Sequence, residues 1–205
     1  MPIIVDKEQK KRDIALACKR LLVENHIHEL TISQLAKEAG IGKGTFYEYF
    51  HSKEALLFTL VEILMAEYNA LQEKRLEACV GTQEKIECFA GFFYEEDAKE
   101  LRALYKMFVG ISLLSPDEEM MAFQTECLGY YYSWFERLIE EGIEKGEIVP
   151  QSRELAKGLF AMAKGLFTIT QTTHAINDMQ SELERFTGTL FHFITVKKDA
   201  DVPNT

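Results

Sequence analysis

Residues 30–56, LTISQLAKEAGIGKGTFYEYFHSKEAL, constrain the fold of this chain more than any other stretch. Thr31 is followed three residues later by Gln34, which is the spacing of a capping box at the start of a helix. Gly40 can adopt the left-handed conformation that ends a helix, and Gly42 can begin another. The stretch therefore predicts two short helices joined by a tight turn, with a third helix starting at its end.

The second of these helices is predicted over Lys43–Tyr49 and is too short to be stable alone. Phe46 and Phe50 are expected to anchor it in the core, so its N-terminal residues face outward. A short helix with donor groups at an exposed N-terminal end, supported by a preceding helix, suits insertion into the major groove of DNA. The pattern therefore predicts a helix-turn-helix.

Four runs in this stretch closely resemble the DNA-binding domain of the TetR (tetracycline repressor) family: Thr31–Ile41, Gly44–Tyr47, Tyr49–Phe50 and Ser52–Leu56. One departure is Gly42, where many family members have serine. Glycine still caps a helix, at a cost of roughly a few tenths of a kcal/mol, but it offers no hydroxyl to a phosphate. The resemblance implies a small N-terminal DNA-binding domain and a larger, variable C-terminal domain that binds a ligand and dimerises.

The resemblance also implies which residues approach DNA. Lys43, Gly44 and Thr45 match positions at base edges and nearby phosphates; a lysine amine can donate to guanine, a threonine methyl group can meet a thymine methyl group, and glycine allows close backbone approach. The other matched positions approach the phosphate backbone or begin the preceding helix: Tyr47, Tyr49, Lys53, Thr31 and Ser33. The alternative for Tyr47 is a packing aromatic in the domain core. Two or three base contacts per half-site do not specify the operator sequence.

The net charge of −10 at first argues against a nucleic-acid partner, so its distribution matters. Residues 1–53 carry a net charge of +2 and the remainder carries −12. Because such a weakly basic segment needs two copies acting together to bind DNA strongly, we expect a homodimer on a palindromic double-stranded operator. The sequence has neither an apolar run of the ~20 residues that a membrane span needs nor a signal peptide, so we expect a cytoplasmic protein without a membrane partner.

Beyond residue 53 the apolar residues recur at helical spacing and no strand pattern recurs, which predicts an all-α fold of about nine helices. Three would form a helix-turn-helix domain over residues 1–52, and six a ligand-binding and dimerisation domain over residues 53–197, followed by a disordered tail at 198–205. The first helix of the second domain would connect the two domains. It would either tilt as a rigid rod or serve as a plain core helix.

The second domain is rich in aromatic residues at helical spacing, and such residues more often pack in a core than line a pocket. The resemblance raises the expectation that some of them line a cavity for a small-molecule effector. Few charges accompany them, so the effector is expected to be apolar or aromatic, although tryptophan and tyrosine could also meet a cation. The predicted ligand-binding residues are Phe93, Tyr105, Phe108, Tyr131, Trp134 and Phe167.

The last two predicted helices are candidates for the dimer interface. Small residues on the first of them permit close approach of another helix, and the pair could form a four-helix bundle across a two-fold axis. The alternative is that these helices close the core of a single subunit. The predicted interface residues are Gly158, Met162, Gly165, Leu183, Phe186 and Leu190.

No metal, cofactor or catalytic site is indicated by the remaining residues. The five histidines form no i, i+4 pair with a nearby acid, and no nucleophile and base stand at a recognisable spacing. The cysteines lack a C-x-x-C pair and are expected to be buried reduced thiols rather than a redox or metal site: Cys18, Cys79, Cys88 and Cys127. The sequence thus predicts a ligand-responsive transcriptional regulator, most often a repressor in this family. The alternative is a DNA-binding architectural or interaction protein without an effector, and an enzyme has little support.

Overall fold

The computed structural model describes residues 6–114 and 118–197, and this part of the chain is all-α, as predicted. The only extended pairing within it is an isolated bridge between Ile148 and Thr195. The ten α-helices of the described residues are α1 (Lys7–Ala17), α2 (Lys19–Glu24), α3 (Ile32–Glu38), α4 (Lys43–Tyr49), α5 (Lys53–Ala78), α6 (Thr82–Ala90), α7 (Lys99–Leu114), α8 (Glu118–Glu144), α9 (Ala156–Thr172) and α10 (Met179–Ile194).

The additional helix, relative to the prediction of about nine, comes from the N-terminus. The sequence pattern predicts one helix from Asp6 to Val23, whereas the structure has two, because the helical backbone is interrupted at Cys18 (φ −83°, ψ −3°). The Cys18 side chain is fully buried, and its thiol donates a hydrogen bond to the Leu35 carbonyl at 3.3 Å. This contact between distant residues was not visible in the local sequence pattern.

Two other helices are shorter than predicted. The apolar spacing predicts a helix from Gln83 to about Glu95, but α6 ends at Ala90 and is followed by a 3₁₀ segment at Gly91–Phe93. The sequence pattern also predicts a helix that begins near Ser152, but the segment Pro150–Leu155 is 3₁₀ and the α-helix begins at Ala156. Glycine is a weak helix former, and tighter 3₁₀ turns are common at helix ends.

The described residues form two compact units by their internal contacts. The first unit comprises residues 6–70, 99–114 and 118–125, and the second comprises residues 71–98 and 126–197. Helix α5 is one continuous helix whose residues fall in both ranges. This grouping does not test the domain boundary after residue 52, which stays a prediction.

The core of the second unit is formed by α6, α8, α9 and α10, which contribute Ile86, Ile139, Leu159 and Phe191 among others. Helix α8 ends where the sequence predicts, close to Gly146, which adopts the left-handed conformation with φ +67°. The backbone N–H groups of residues 146 and 147 donate to the carbonyls of residues 143 and 142, at 3.0 and 2.9 Å. These two bonds satisfy carbonyl groups at the end of the helix.

The start of α6 is fixed against the end of α8. Both the backbone N–H and the hydroxyl of Thr82 donate to Oε2 of Glu147, each at 2.7 Å. These hydrogen bonds hold the pKa of the Glu147 carboxyl below its ordinary value. The Thr82 side chain lies directly against Gly142 of α8. The close approach therefore depends on the absence of a side chain at residue 142.

Two predictions concern residues outside the described ranges: the helix start signal at Ser115–Asp117 and the disordered tail at 198–205. Among the helices of residues 6–114 and 118–197, none combines the length and the apolar character that crossing a membrane requires.

Candidate nucleic-acid interface and effector crevice

The predicted capping box at the start of α3 is present. The N–H of Gln34 donates to the Thr31 hydroxyl oxygen at 3.3 Å, and the N–H of Thr31 donates to the Gln34 side-chain oxygen at 2.8 Å. Thr31 and Ser33 are both exposed at this end of the helix, while Leu35 is fully buried. The cap fixes where α3 begins and leaves two hydroxyl side chains at the surface.

The turn between α3 and α4 follows the predicted glycine pattern. Gly40 has φ +67°, a conformation that strains any residue with a side chain. The N–H of Ile41 donates to the Ala36 carbonyl at 2.9 Å and closes the end of α3. Gly42 then takes the N-cap position of α4, without a side-chain hydrogen bond. A short turn therefore joins α3 and α4, as a helix-turn-helix requires.

Helix α4 presents two different faces. Phe46 and Phe50 are buried, with ring centroids 5.6 Å apart. On the other side, Lys43 and Gly44 are exposed and the side chain of Tyr47 is 51% exposed, with only the edge of its ring against Phe46. This exposure disfavours the alternative that Tyr47 is a core aromatic. Thr45 and Tyr49 are half-buried at the sides of the helix.

Lys53 has a structural contact that the sequence did not indicate. Its Nζ donates to the backbone carbonyl of Leu30 at 3.0 Å and to that of His28 at 3.3 Å. The N-terminus of α5 is further capped by Ser52, whose hydroxyl oxygen accepts from the N–H of Ala55 at 2.9 Å. Lys53 thus ties the start of α5 to the segment before α3. The phosphate contact that the family resemblance implies for this lysine remains a prediction.

The six predicted ligand-binding residues are distributed over both units. Tyr105 and Phe108 belong to the first unit, where Phe108 is buried against Phe58 and Phe123. In the second unit, Trp134 is buried in a small cluster with Leu76 and Leu138, against which Tyr131 also packs. Phe93 and Phe167 contact each other, with ring centroids 5.3 Å apart. Phe108, Trp134 and Phe167 are buried in the core.

The second unit contains a narrow apolar space between α6, α8, α9 and α10, which we call the crevice. Its volume is about 30 Å³, and its wall includes Phe89, Phe93, Phe135, Leu159, Phe160 and Met162. Its polar lining is the pair Glu87 and Thr187, in which the Thr187 hydroxyl donates to the Glu87 carboxylate at 2.5 Å. Only Phe93 of the predicted ligand-binding residues lines it, because the periodicity of the aromatics does not tell which helix faces meet.

The structure corrects the prediction for one interface residue, Leu183. Leu183 is only 2% exposed and lines the crevice together with Met162, so Leu183 belongs to the core of its own subunit and cannot face a partner across the surface. Gly158 and Gly165 are exposed on α9, and Phe186 on α10 is 44% exposed. Leu190 is half-buried against the core.

Two exposed apolar residues near these positions were not predicted. Phe193 is 74% exposed and lies about two turns along α10 from Phe186, and Ile169 is 39% exposed on α9. We call the exposed small and apolar residues of these two helices the α9–α10 face: Gly158, Ala161, Gly165, Ile169, Phe186 and Phe193. The helical spacing of these residues was the signal that could have identified Phe193.

Comparison with known proteins gives consistent matches. The family described as "Bacterial regulatory proteins, tetR family" matches residues 14–60, which include α3 and α4. The fatty acid metabolism regulator protein of Bacillus subtilis (strain 168) is 25% identical over 189 residues, covering 92% of this chain and 95% of that protein.

Two solved structures resemble the fold over most of the chain. A TetR-family transcriptional regulator from Cytophaga hutchinsonii has a TM-score of 0.74 at 15% identity and covers 95% of this chain and 99% of its own. The regulator FadR from Bacillus subtilis, solved in complex with stearoyl-CoA, has a TM-score of 0.65 at 21% identity and covers 87% of this chain and 96% of its own. At these identities the structural likeness shows the fold alone.

Proposed function

We propose that this chain is a transcriptional regulator of the TetR family, which binds a palindromic operator as a homodimer and releases it when an acyl effector binds. We infer DNA recognition from the arrangement of α4. Its inner face is buried on Phe46 and Phe50, while Lys43, Gly44 and Tyr47 are exposed at or near its N-terminal end. Such a regulator would act in the cytoplasm, with DNA as its partner.

Dimerisation is supported by charge and by the α9–α10 face. The N-terminal 53 residues have a net charge of only +2, so one copy offers few phosphate contacts and two copies are needed for tight binding. A dimer also sets the spacing of two α4 helices, which must be about 34–36 Å to meet successive major-groove faces. Phe186 and Phe193 leave large apolar rings in water unless a second subunit covers them.

Replacing Phe186 and Phe193 together by glutamate is expected to convert the dimer to a monomer at micromolar concentration. Two carboxylates per subunit would have to be buried in the apolar interface, which costs several kcal/mol. Sedimentation velocity measures the change, and operator affinity should fall with it. Val80→Glu is the matched control, because Val80 is 86% exposed and lies outside this face. A wild-type protein that already sediments as a monomer at this concentration would contradict the proposal.

We propose a long-chain acyl compound as the effector. The wall of the crevice is mostly apolar. The Glu87 carboxylate in its lining already accepts a hydrogen bond from the Thr187 hydroxyl and a second one, at 2.9 Å, from the Gln83 amide. The similarity to a fatty acid metabolism regulator, and to a regulator solved with stearoyl-CoA, favours this chemical class. Because ligand pockets hold roughly 300–1,000 Å³, the crevice must open when an acyl chain enters.

Opening of the crevice is also what would connect effector binding to DNA release. Helix α6 and the last turns of α5 belong to the same unit as the crevice, and α5 continues to Lys53, directly after the helix-turn-helix. An effector that prefers the opened form shifts the population away from the DNA-binding form. Nearly complete release requires a preference of about 5.5 kcal/mol between the two forms.

Stearoyl-CoA is expected to raise the melting temperature of the purified protein and to lower its affinity for operator DNA. At a ligand concentration 100 times the Kd, binding adds about 2.7 kcal/mol to stability. Ala163→Val, which narrows the crevice by two methyl groups, should weaken both effects while leaving DNA binding in place. Ala122→Val at an exposed site on α8 is the control for the added methyl groups.

The same experiment tests the alternative of a DNA-binding architectural protein without an effector. The small volume of the crevice, about 30 Å³, is the observation that favours this alternative. Operator binding that persists unchanged at saturating stearoyl-CoA, without a thermal shift, would contradict the acyl-effector proposal and support the alternative.

A further inference from the structure

Helix α9 carries two lysines that the proposed function does not use. The charged side chains of this helix, Ala156–Thr172, are Lys157 and Lys164, which we call the lysine pair, and it contains no acidic residue. The chain beyond residue 53 has a net charge of −12, so α9 is a local excess of positive charge in an acidic region. Such an excess attracts anionic ligands.

Lys164 lies beside the crevice. Its Nζ is 5.7 Å from the centroid of the Phe160 ring, and Phe160 is one of the residues that line the crevice. The residue before it, Ala163, lines the crevice as well. An ammonium group at this distance from an aromatic ring makes a cation–π contact. A ligand that extends out of the crevice along Phe160 would therefore meet the amine of Lys164.

The environment of Lys164 favours an anion as its neighbour. The side chain is half-buried, and burial lowers the pKa of its ammonium group. Burial has this effect because the charged form loses part of its hydration. An anionic group held next to the amine would replace the lost hydration with a charge-assisted hydrogen bond. A carboxylate or a phosphate group therefore suits this position better than an apolar group.

Lys157 extends the positive surface along α9. Its Nζ is 5.8 Å from the centroid of the Tyr132 ring, which in turn lies 5.7 Å from that of Phe160. The two lysines are seven positions apart, which is about two turns and about 10 Å along a helix. This separation suits a head group with several anionic groups better than a single carboxylate.

We propose that the lysine pair binds phosphate groups of the effector, which is then a phosphate-bearing acyl compound rather than a free fatty acid. This inference rests on the acyl effector of the proposed function and specifies its head group. The acyl chain occupies the opened crevice behind Phe160, and the phosphates lie outside it, against Lys164 and Lys157. Coenzyme A and the head group of a lysophospholipid both have this chemistry. The spacing of the lysine pair favours coenzyme A, which carries several phosphates.

Isothermal titration calorimetry of the full-length protein with stearoyl-CoA and with stearate tests the proposal. The wild type should bind stearoyl-CoA more tightly than stearate, and this preference should shrink as the salt concentration rises. Lys157→Gln and Lys164→Gln should each lower the affinity for stearoyl-CoA by about 10-fold, because each removes a hydrogen bond between charged groups. The double variant should bind the two ligands with similar affinities.

Lys145→Gln is the matched control for these variants. Lys145 is exposed, belongs to the same unit and follows the last residue of α8, so its replacement removes the same charge. Its amine lies 3.6 Å from the Glu141 carboxylate, and it is not among the residues that line the crevice. Its affinities for stearoyl-CoA and stearate should equal those of the wild type.

Two further ligands separate the head group from the acyl chain. Coenzyme A without an acyl chain should bind the wild type weakly and should not bind the double variant. This result would support the lysine pair even if no acyl chain entered the crevice and the acyl-effector proposal failed. Stearoyl-lysophosphatidate carries the same acyl chain on a single phosphate. Tighter binding of this lipid than of stearoyl-CoA, lost in the double variant, would support the phosphate site and assign it to a phospholipid.

Other outcomes would overturn the inference. Equal affinities of the wild type and the double variant for stearoyl-CoA would refute the role of the lysine pair and leave the acyl effector in place. Binding of stearate, without binding of any phosphate-bearing ligand, would do the same. Failure of the wild type to bind any of the four ligands would refute both the lysine pair and the acyl effector.

Discussion

Replacing Lys43 and Tyr47 together by alanine is expected to lower the affinity for operator DNA by at least about 100-fold, without loss of the fold. A base contact contributes about 1–3 kcal/mol, and a dimer loses each contact twice. Both residues are exposed on α4, whereas the packing of this helix depends on Phe46 and Phe50. Fluorescence anisotropy with a labelled operator measures the affinity, and circular dichroism measures the fold.

Lys74→Ala is the matched control for this double variant. Lys74 is exposed on α5, and its replacement removes the same charge from a residue far along the chain from the helix-turn-helix. Its operator affinity should stay close to that of the wild type. An unchanged affinity in Lys43→Ala/Tyr47→Ala would refute the assignment of α4 as the recognition helix.

Gly142→Ala is expected to destabilise the protein by about 1–3 kcal/mol, which is the usual cost of forcing extra atoms into a packed core. A Cβ atom at residue 142 would lie 2.2 Å from the Thr82 hydroxyl oxygen and 2.8 Å from its Cγ2. Thr82 cannot move away freely, because it is buried and donates twice to Glu147. Denaturant unfolding of the two proteins under identical conditions measures the difference.

Gly129→Ala on the same helix is the control with the opposite sign. Nothing lies within 4 Å of a Cβ atom at residue 129, which is exposed. Alanine in an exposed helical position is favoured over glycine by about 1 kcal/mol, so this variant should be slightly more stable than the wild type. Equal stabilities of the two variants would show that α6 and α8 do not approach each other as closely as described.

The helix-turn-helix was predicted closely from the sequence because its determinants are local. The capping box joins Thr31 to Gln34, three positions later, and the turn depends on the positive φ of a single residue, Gly40 (φ +67°). The bounds of α4 follow from the same signals and agree with Lys43–Tyr49. Local hydrogen bonds and backbone preferences can be read from adjacent residues, whatever the rest of the chain does.

The second unit was predicted only as a set of helices, since its details depend on which faces meet. Leu183 and Phe186 both belong to the apolar pattern of α10, but Leu183 lies in the core and Phe186 is exposed. The periodicity identifies an apolar stripe without saying which part of it meets α6 and which part meets solvent. The same ambiguity placed Trp134 among the predicted ligand-binding residues.

Contacts between distant residues were missed for a related reason. The amine of Lys53 contacts the carbonyl of Leu30, and the Cys18 thiol contacts the carbonyl of Leu35. Backbone carbonyls leave no mark in the sequence, so such contacts require the structure.

The central claim, that α4 of two subunits reads DNA, is tested most directly by mapping the DNA that the purified protein protects. Genomic DNA fragments that bind the wild-type protein would be isolated first. The positions that the purified protein protects on these fragments would then be mapped by footprinting. The account predicts a protected site with two-fold symmetry, whose half-sites are centred about 34–36 Å apart or a multiple of this distance. Protection without sequence preference, or no retained fragment at physiological salt, would contradict it.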